Sequence, residues 1–522
     1  MEELRVNRIK AGRCVAIDAV SLLCFFTLSL SFALAWVPSW HWPLMGDAGL
    51  IRYVVFLIHS GKSPYSQILD INLPGSYFIE AAAMKLFGGY AAGLRIYDSI
   101  LCLVACSCMA ALGGPSRRGR IAGLAAGFAF SLFHLQDGIA QAGQRDLAMC
   151  VIVLLAYVVL ARSPCLSRLA SVASYELLIG ATVTIKPTLL PLAFLPLVVW
   201  LGEGKKVSRP GIIKMFAIAA ASLLVPVGAV LLWLCREGSL HFFVSMLQTI
   251  EIQHDETGRR TVAYLLAHVS SPIIVPLIAW ICLLFLTRVP RDLDEWLFSC
   301  GAFCGLLSYI GQSKGYPYQR YTFLAFVLLL IFREVSALPL RTQVKSGPAG
   351  IAVDALALIA VAGICLCLAP HAVMQVLRYD HVDAFQKTLA ADLQLVGAQS
   401  SEVQCFDTWG GCLRTLYDLN LVQATGYLYD CYFYTSPGWR RDAYRNGFLS
   451  SFDSSAPRIL ILTDQFCFNG QRNFDRVREW PELQSRIDRD YFLAKEWDSP
   501  REYRVWARSE RPIAYRVYVR RK

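Results

Sequence analysis

A polytopic α-helical membrane bundle with a small α/β domain at its C-terminal end is the fold class that three features of the sequence predict. Apolar runs near the roughly 20 residues that cross a bilayer recur up to about residue 370. Only 17% of the 522 residues are charged and 55% are hydrophobic, whereas a soluble protein is nearer a quarter charged. From residue 371 the chain turns polar, and its apolar stretches shorten to strand length.

The first run, Val15 to Val37, lacks a small-residue cleavage site and reads as an uncleaved anchor. Further spans are predicted at 93–112, 121–135, 147–161, 170–186, 188–201, 212–235, 262–286, 295–311, 321–338 and 349–370, about eleven with the first. Lys186-Pro187 makes a tight corner between two of them, because proline has no amide with which to continue a helix. The short basic loops "PSRRGR" (115–120), "ARSPCLSR" (161–168), "GEGKKVSRPG" (202–211), "TRVPRD" (287–292) and "LRTQVKSG" (340–347) all fall on one side of this arrangement. Positive charge in short loops marks the cytoplasmic side. The N-terminus, "MEELRVNRIKAGR", is then cytoplasmic and the tail external. The net charge of +11 is largely accounted for by these loops and does not point to nucleic acid.

Residues 49–60 and 74–88 are short for spans, and the second carries Glu80 and Lys85. Both read as interfacial helices inside one long external loop, 38–92. In the tail, "SEVQCFD" (401–407), "PRILILTD" (457–464) and "EYRVWARS" (502–509) read as strands, with loop and helix over 436–452. This gives a transmembrane domain over 1–370 and an external soluble domain over 371–522. Of the seventeen cysteines, only Cys405, Cys412, Cys431 and Cys467 lie in the tail. Spacing does not settle their pairing; Cys405 and Cys412, seven apart, are the first choice. No CxxC pair or His-rich cluster argues for zinc.

Unusual residues gather in the external loops. Asp47, in "HWPLMGDAGL", suits either a helix N-cap or a carboxylate acting at the membrane surface. Asn72 reads as the cap of the helix that starts at Pro74, which leaves Asp70 as a second acid in the same loop. In "HLQDGIAQAGQRD" (134–146), Arg145 and Asp146 adjoin at the start of a span, with Asp137, His134 and Gln144 nearby. Such charges either snorkel to the interface or hold a phosphate with the guanidinium and a cation or hydroxyl with the carboxylate. "GQSKGYPYQRY" (311–321) interleaves Lys314 and Arg320 with Tyr316, Tyr318, Gln319 and Tyr321. Interfacial tyrosines with loop cations are the plain reading; a cradle for an anionic lipid headgroup is the functional one. Carboxylates and cations on one face suit a lipid-phosphate substrate.

An early external Asp after the first span, then "GKSPYSQILDINLPG", an amphipathic helix ending in "KLFGG", and "GLRIYDSI" opening the next span resemble the GT-C class of integral-membrane glycosyltransferases. "GQRD" and "QSKGYPYQR" are similar to external-loop motifs of its bacterial branch, related to the protein O-mannosyltransferase and aminoarabinose-transferase families. Two positions depart from that pattern. Gln319 stands where the related K-G-x-x-Y-H motif has His, and Pro74-Gly75 where the mannosyltransferase-like members have Pro-Pro. The resemblance implies inverting transfer of a sugar from a polyprenyl-phosphate donor to a glycan, lipid or protein acceptor outside the cell (plasma) membrane. It implies Asp47 as base or metal ligand; Asp146 and Asp137 are read beside it as catalytic acids, and Asp146 would share any divalent ion with Asp47. Arg145, Lys314 and Arg320 would neutralise the donor phosphate, and Tyr316, Tyr318, Gln319 and Asp70 would contact the donor. The rival classes are a surface-polysaccharide polymerase or ligase, using Arg236, Arg259 and Arg260 of a late loop, and a transporter or flippase. The latter predicts mid-span charges and repeated halves, which are few or not evident here.

Overall fold

The computed structural model describes residues 2–163, 165–202, 209–251, 258–287, 292–341, 348–376, 382–407, 411–464, 474–499 and 514–522. Two compact units divide the chain: Met1–His41, Arg95–Gly228 and Arg260–Leu377 form the first, and Trp42–Leu94, Ala229–Arg259 and Arg378–Lys522 the second.

A helix stands at almost every predicted span. Among the described residues, four are long and apolar enough to cross a membrane: Leu22–Ser39, Ala91–Leu112, Gly211–Arg236 and Ile351–Met374. Helices Arg117–Asp137, Arg145–Arg162, Arg168–Ile185, Leu293–Gln312 and Tyr321–Arg341 carry more polar residues, several of them in the buried network described below. Two expectations are corrected. The predicted span 188–201 is a 3-10 segment, Pro187–Phe194, followed by a short helix, Leu195–Gly202. The predicted span 262–286 is broken into Val262–Val269 and Ile274–Leu286, which meet at 86°. Pro272 lies at the break and has no amide to give to a continuous helix. The basic loops 202–211, 287–292 and 340–347 lie largely outside the described residues.

Local chemistry sets the ends of these helices. Ser116 and Ser167 accept amide hydrogen bonds as N-caps, and Asp292 with Glu295 forms a capping box. Small residues set the approach of Ala91–Leu112 to Arg117–Asp137. A Cβ at Gly123 would lie 2.1 Å from the Met109 carbonyl oxygen, and one at Gly127 would lie 2.7 Å from Cys106 Cα. Spaced four apart, they let the two backbones touch. At the other end of this bundle, Arg162 pairs with Asp294, and Arg333 bridges Asp292 and Asp294 at 2.7 and 2.9 Å.

In the second unit, helix Gly46–His59 buries Leu50, Ile51, Tyr53, Val54, Val55 and Leu57. Helix Pro74–Phe87 starts with proline at its first position and ends at Gly88. These are the two helices expected in the 38–92 loop. The sheet of this unit has the order β1-β2-β4-β3, from β1 (Val403–Phe406), β2 (Ile459–Thr463), β3 (Tyr491–Asp498) and β4 (Ala514–Arg520). β1 runs parallel to β2, and the other pairs are antiparallel. β1 and β2 occupy two segments read as strands; the third, 502–509, lies outside the described residues. Helix Trp439–Ser455 packs Tyr444 and Phe448 on Tyr427, Phe433 and Trp480, an aromatic core for the tail. Cys405 and Cys412 form a disulfide; Cys467 lies outside the described residues.

Candidate functional site

The polar groups of the first unit meet at one end of its helices. Asp98, about two turns into Ala91–Leu112, is fully buried. It accepts from Arg95 Nη1 at 2.7 Å and from the Gly143 amide at 2.8 Å, and lies 2.9 Å from His134 Nε2. His134 Nδ1 in turn lies 2.9 Å from the Tyr321 hydroxyl. Gly143 has φ +67°, a left-handed conformation that costs glycine little. The aspartate thereby fixes the turn that delivers the chain into helix Arg145–Arg162. A buried charge is tolerated only when paired and hydrogen-bonded, and Asp98 meets both conditions. Arg95 also donates to Ser39 Oγ at 2.7 Å and lies over the Trp36 ring.

Asp146, 2% exposed, accepts from Lys186 Nζ on both oxygens, at 2.8 and 3.1 Å. The same ammonium donates to Gln312 Oε1 at 2.9 Å and lies 5.4 Å from the Tyr318 ring centre. Arg145 Nε is 3.9 Å from Asp146, and its side chain keeps 13% exposure. Thus Arg145, Asp146, Lys186, Gln312 and Tyr318, from three separate stretches, form one cluster with two positive charges and one negative. Lys314 is buried in the loop that follows Gln312. The Tyr316 and Tyr318 rings lie 5.6 Å apart, and Gln319 uses its Oε1 to accept the Tyr316 amide.

Arg320, expected on a donor phosphate, is committed elsewhere. It donates to Asp137 Oδ1 at 2.9 Å and to the carbonyls of His268 and Ser271 at 3.0 and 2.5 Å. Those carbonyls belong to the break after Val262–Val269, where helix-end oxygens lose their intrahelical donors. Arg320 donates to both, the His268 carbonyl also accepting the Ser271 amide at 3.2 Å, and Asp137 neutralises it. Both residues hold the broken helix in place.

In the second unit Asp47 is half-buried and lies inside the first turn of Gly46–His59, one residue past Gly46; Met45 is the N-cap. The capping expectation is therefore corrected: the carboxylate faces the positive end of the helix dipole from within. Nor does Asn72 cap Pro74–Phe87, whose N-cap is Leu73. Asn72 instead donates to Asp70 at 2.8 and 3.1 Å. Asp70, expected at the donor, is fully enclosed, and its oxygens also accept from Tyr77 at 2.8 Å and Tyr429 at 2.6 Å. Both phenols are held well above their usual pKa range, by burial first and then by the Asp70 charge; Asp47 adds to the effect on Tyr429. They stay protonated and serve as donors. Arg52 and Glu80 form a second buried pair at 2.9 Å.

Lys186, Asp98, Arg95 and Tyr429 are missing from the sequence-derived set. The signals were present: a lone lysine at a span end before proline, and an Arg-Asp pair three apart in an apolar run. For a divalent ion the residues do not fit at Asp146, since an ammonium already covers both its oxygens. Among the described residues no group of three or more His, Cys, Asp or Glu side chains is arranged for a metal.

No family model matches the chain, and no curated protein matches it by sequence. Its fold does match solved structures. ArnT from Cupriavidus metallidurans bound to undecaprenyl phosphate superposes with a TM-score of 0.52 at 13% identity, over 97% of this chain and 98% of that one. The apo state of the same protein gives 0.51 at 13% identity with the same coverage. An Archaeoglobus fulgidus oligosaccharyltransferase is more distant, with a TM-score of 0.48 at 12% identity over 92% of this chain and 73% of that one. The fold is similar to that of ArnT, as the likeness of the sequence motifs to the aminoarabinose-transferase family led us to expect.

Proposed function

We propose that this protein moves a sugar from a polyprenyl-phosphate-linked donor to an acceptor on the external side of the membrane, with inversion at the anomeric carbon. The observation that carries this reading is the Arg145–Asp146–Lys186–Gln312 cluster at one end of an apolar helical bundle. ArnT, which shares this fold, was crystallised with undecaprenyl phosphate.

A phosphate leaving group is weakly basic and needs its charge neutralised more than it needs a proton. Lys186 and Arg145, both partly exposed, supply that neutralisation, with Lys314 as a third cation. Asp146 orients the ammonium, and Tyr316 and Tyr318 offer ring faces to the lipid or sugar. Asp47 is the base. It takes the proton of the acceptor hydroxyl as that oxygen bonds to the sugar C1. The bond from C1 to the phosphate oxygen breaks, and its electron pair leaves with the polyprenyl phosphate. No step is assigned to a metal. The topology that goes with this reading has about eleven spans, a cytoplasmic N-terminus and an external tail.

Recovery of polyprenyl phosphate or its glycosylated form with the purified protein, identified by mass spectrometry, tests the reading. Lipid that co-purifies with the wild type and is lost from Lys186→Met/Asp146→Asn supports it. Equal recovery from both, or none from either, overturns it.

A further inference from the structure

The tail segment Leu421–Tyr429, "LVQATGYLY", binds three different parts of the second unit. Toward Gly46–His59, the Tyr53 hydroxyl donates to the Leu421 carbonyl at 3.0 Å and accepts the Gln423 amide at 2.8 Å. Toward the acidic loop, the Leu69 amide donates to the Gly426 carbonyl at 2.9 Å, and Tyr429 donates to Asp70 at 2.6 Å while accepting from Asn72 at 3.1 Å. Toward the sheet, the Ala424 amide donates to the Val403 carbonyl at 2.8 Å, and Gln404 Oε1 accepts the Thr425 hydroxyl at 2.7 Å. The segment passes so close to residue 67 that a Cβ at Gly426 would lie 2.2 Å from the Gln67 carbonyl oxygen.

The helix held by Tyr53 carries Asp47, and the loop held by Tyr429 carries Asp70. Each tie is a hydroxyl buried away from water, where a hydrogen bond left unmade is costly. Fixed geometry is worth having only if something must be placed, and the one acid on this helix is Asp47.

We propose that Tyr53 and Tyr429 are positioning residues through which the tail holds Asp47 in register for transfer, so that the catalytic step depends on segment 421–429. This rests on the assignment of Asp47 as the base. Neither tyrosine touches substrate; Tyr53 acts through the backbone it binds and Tyr429 through the Asp70 carboxylate.

The test uses the full chain in native membrane vesicles, which carry donor and acceptor. Turnover is read as polyprenyl phosphate released, by mass spectrometry. Tyr429→Phe removes one hydroxyl and keeps the ring, and Gly426→Ala pushes the segment away from residue 67. Displacement of about 1 Å at a reacting group lowers rates by up to about a hundredfold. We therefore expect about ten- to a hundredfold slower turnover in both variants, with the amount of donor lipid bound unchanged. Hydrogen exchange over residues 46–59 should quicken in both. A residue with only a structural role would lower the amount of folded protein and leave turnover per folded molecule unaltered; that result overturns the proposal. Unchanged exchange over 46–59 in both variants also overturns it, whether or not turnover is seen. No release by the wild type, together with faster exchange in the variants, removes the transferase reading and leaves the tether of the 46–59 helix standing.

Discussion

Replacing Lys186 with methionine separates a ligand from a structural partner. The change keeps length and apolar packing but removes the ammonium that covers both oxygens of Asp146. Breaking a buried ion pair by deleting one partner costs about 3–5 kcal/mol. Arg145, 3.9 Å from the carboxylate and partly exposed, offsets some of the loss, so about 3 kcal/mol is expected. Lys186→Met/Asp146→Asn removes the stranded charge together with the ammonium. Stability in the double variant should return to within about 1 kcal/mol of wild type, since an ion pair and its neutral replacement are often nearly equal in stability. Binding of the lipid should not return. A charge-assisted contact is worth about 1.5–3 kcal/mol, or roughly ten- to 150-fold in Kd. Thermal unfolding in detergent reads the first quantity, and titration with undecaprenyl phosphate under native mass spectrometry reads the second. Full recovery of lipid binding in the double variant would refute the role of Lys186, because the lysine would then serve Asp146 alone.

Asp47→Asn should insert, fold and bind donor lipid normally, yet lose about a hundredfold or more in transfer, as removal of a general base does; its place inside the first helical turn limits the structural cost to about 0.3–1 kcal/mol. Arg320→Gln removes the cation paired with Asp137 and its hydrogen bonds to two carbonyls at the broken helix, so a loss of about 3–5 kcal/mol in unfolding is expected. Molecules of this variant that do fold should bind undecaprenyl phosphate as the wild type does; a selective loss of binding without loss of stability would return Arg320 to the phosphate. Cys165, exposed and in a loop assigned to the cytoplasm, should resist a membrane-impermeant thiol reagent in whole cells and react after permeabilisation. Labelling in intact cells would invert the topology.

Much of this protein was legible in its sequence because the signals are local. Apolar run length and loop charge located nearly all the helices, and Pro74 and Gly88 bracketed the helix between them. "GQRD" and "SKGYPYQR" pointed to stretches that do contribute to the polar cluster, since a chain rarely spends charge beside an apolar span without use. What the sequence left open are pairings between residues distant along the chain. Lys186 reaches Asp146 across 40 positions and Gln312 across 126, and nothing within a helical turn of Lys186 foretells either partner. Arg320 looked like a ligand for phosphate until the break after Val269 showed two carbonyls to which it donates. Tyr429 lies 359 positions from the carboxylate it binds. Local propensity chooses helices because their hydrogen bonds close within four residues. A buried charge must be met by whatever group the tertiary fold brings near, and only that fold could decide which cation serves the ligand and which serves the protein.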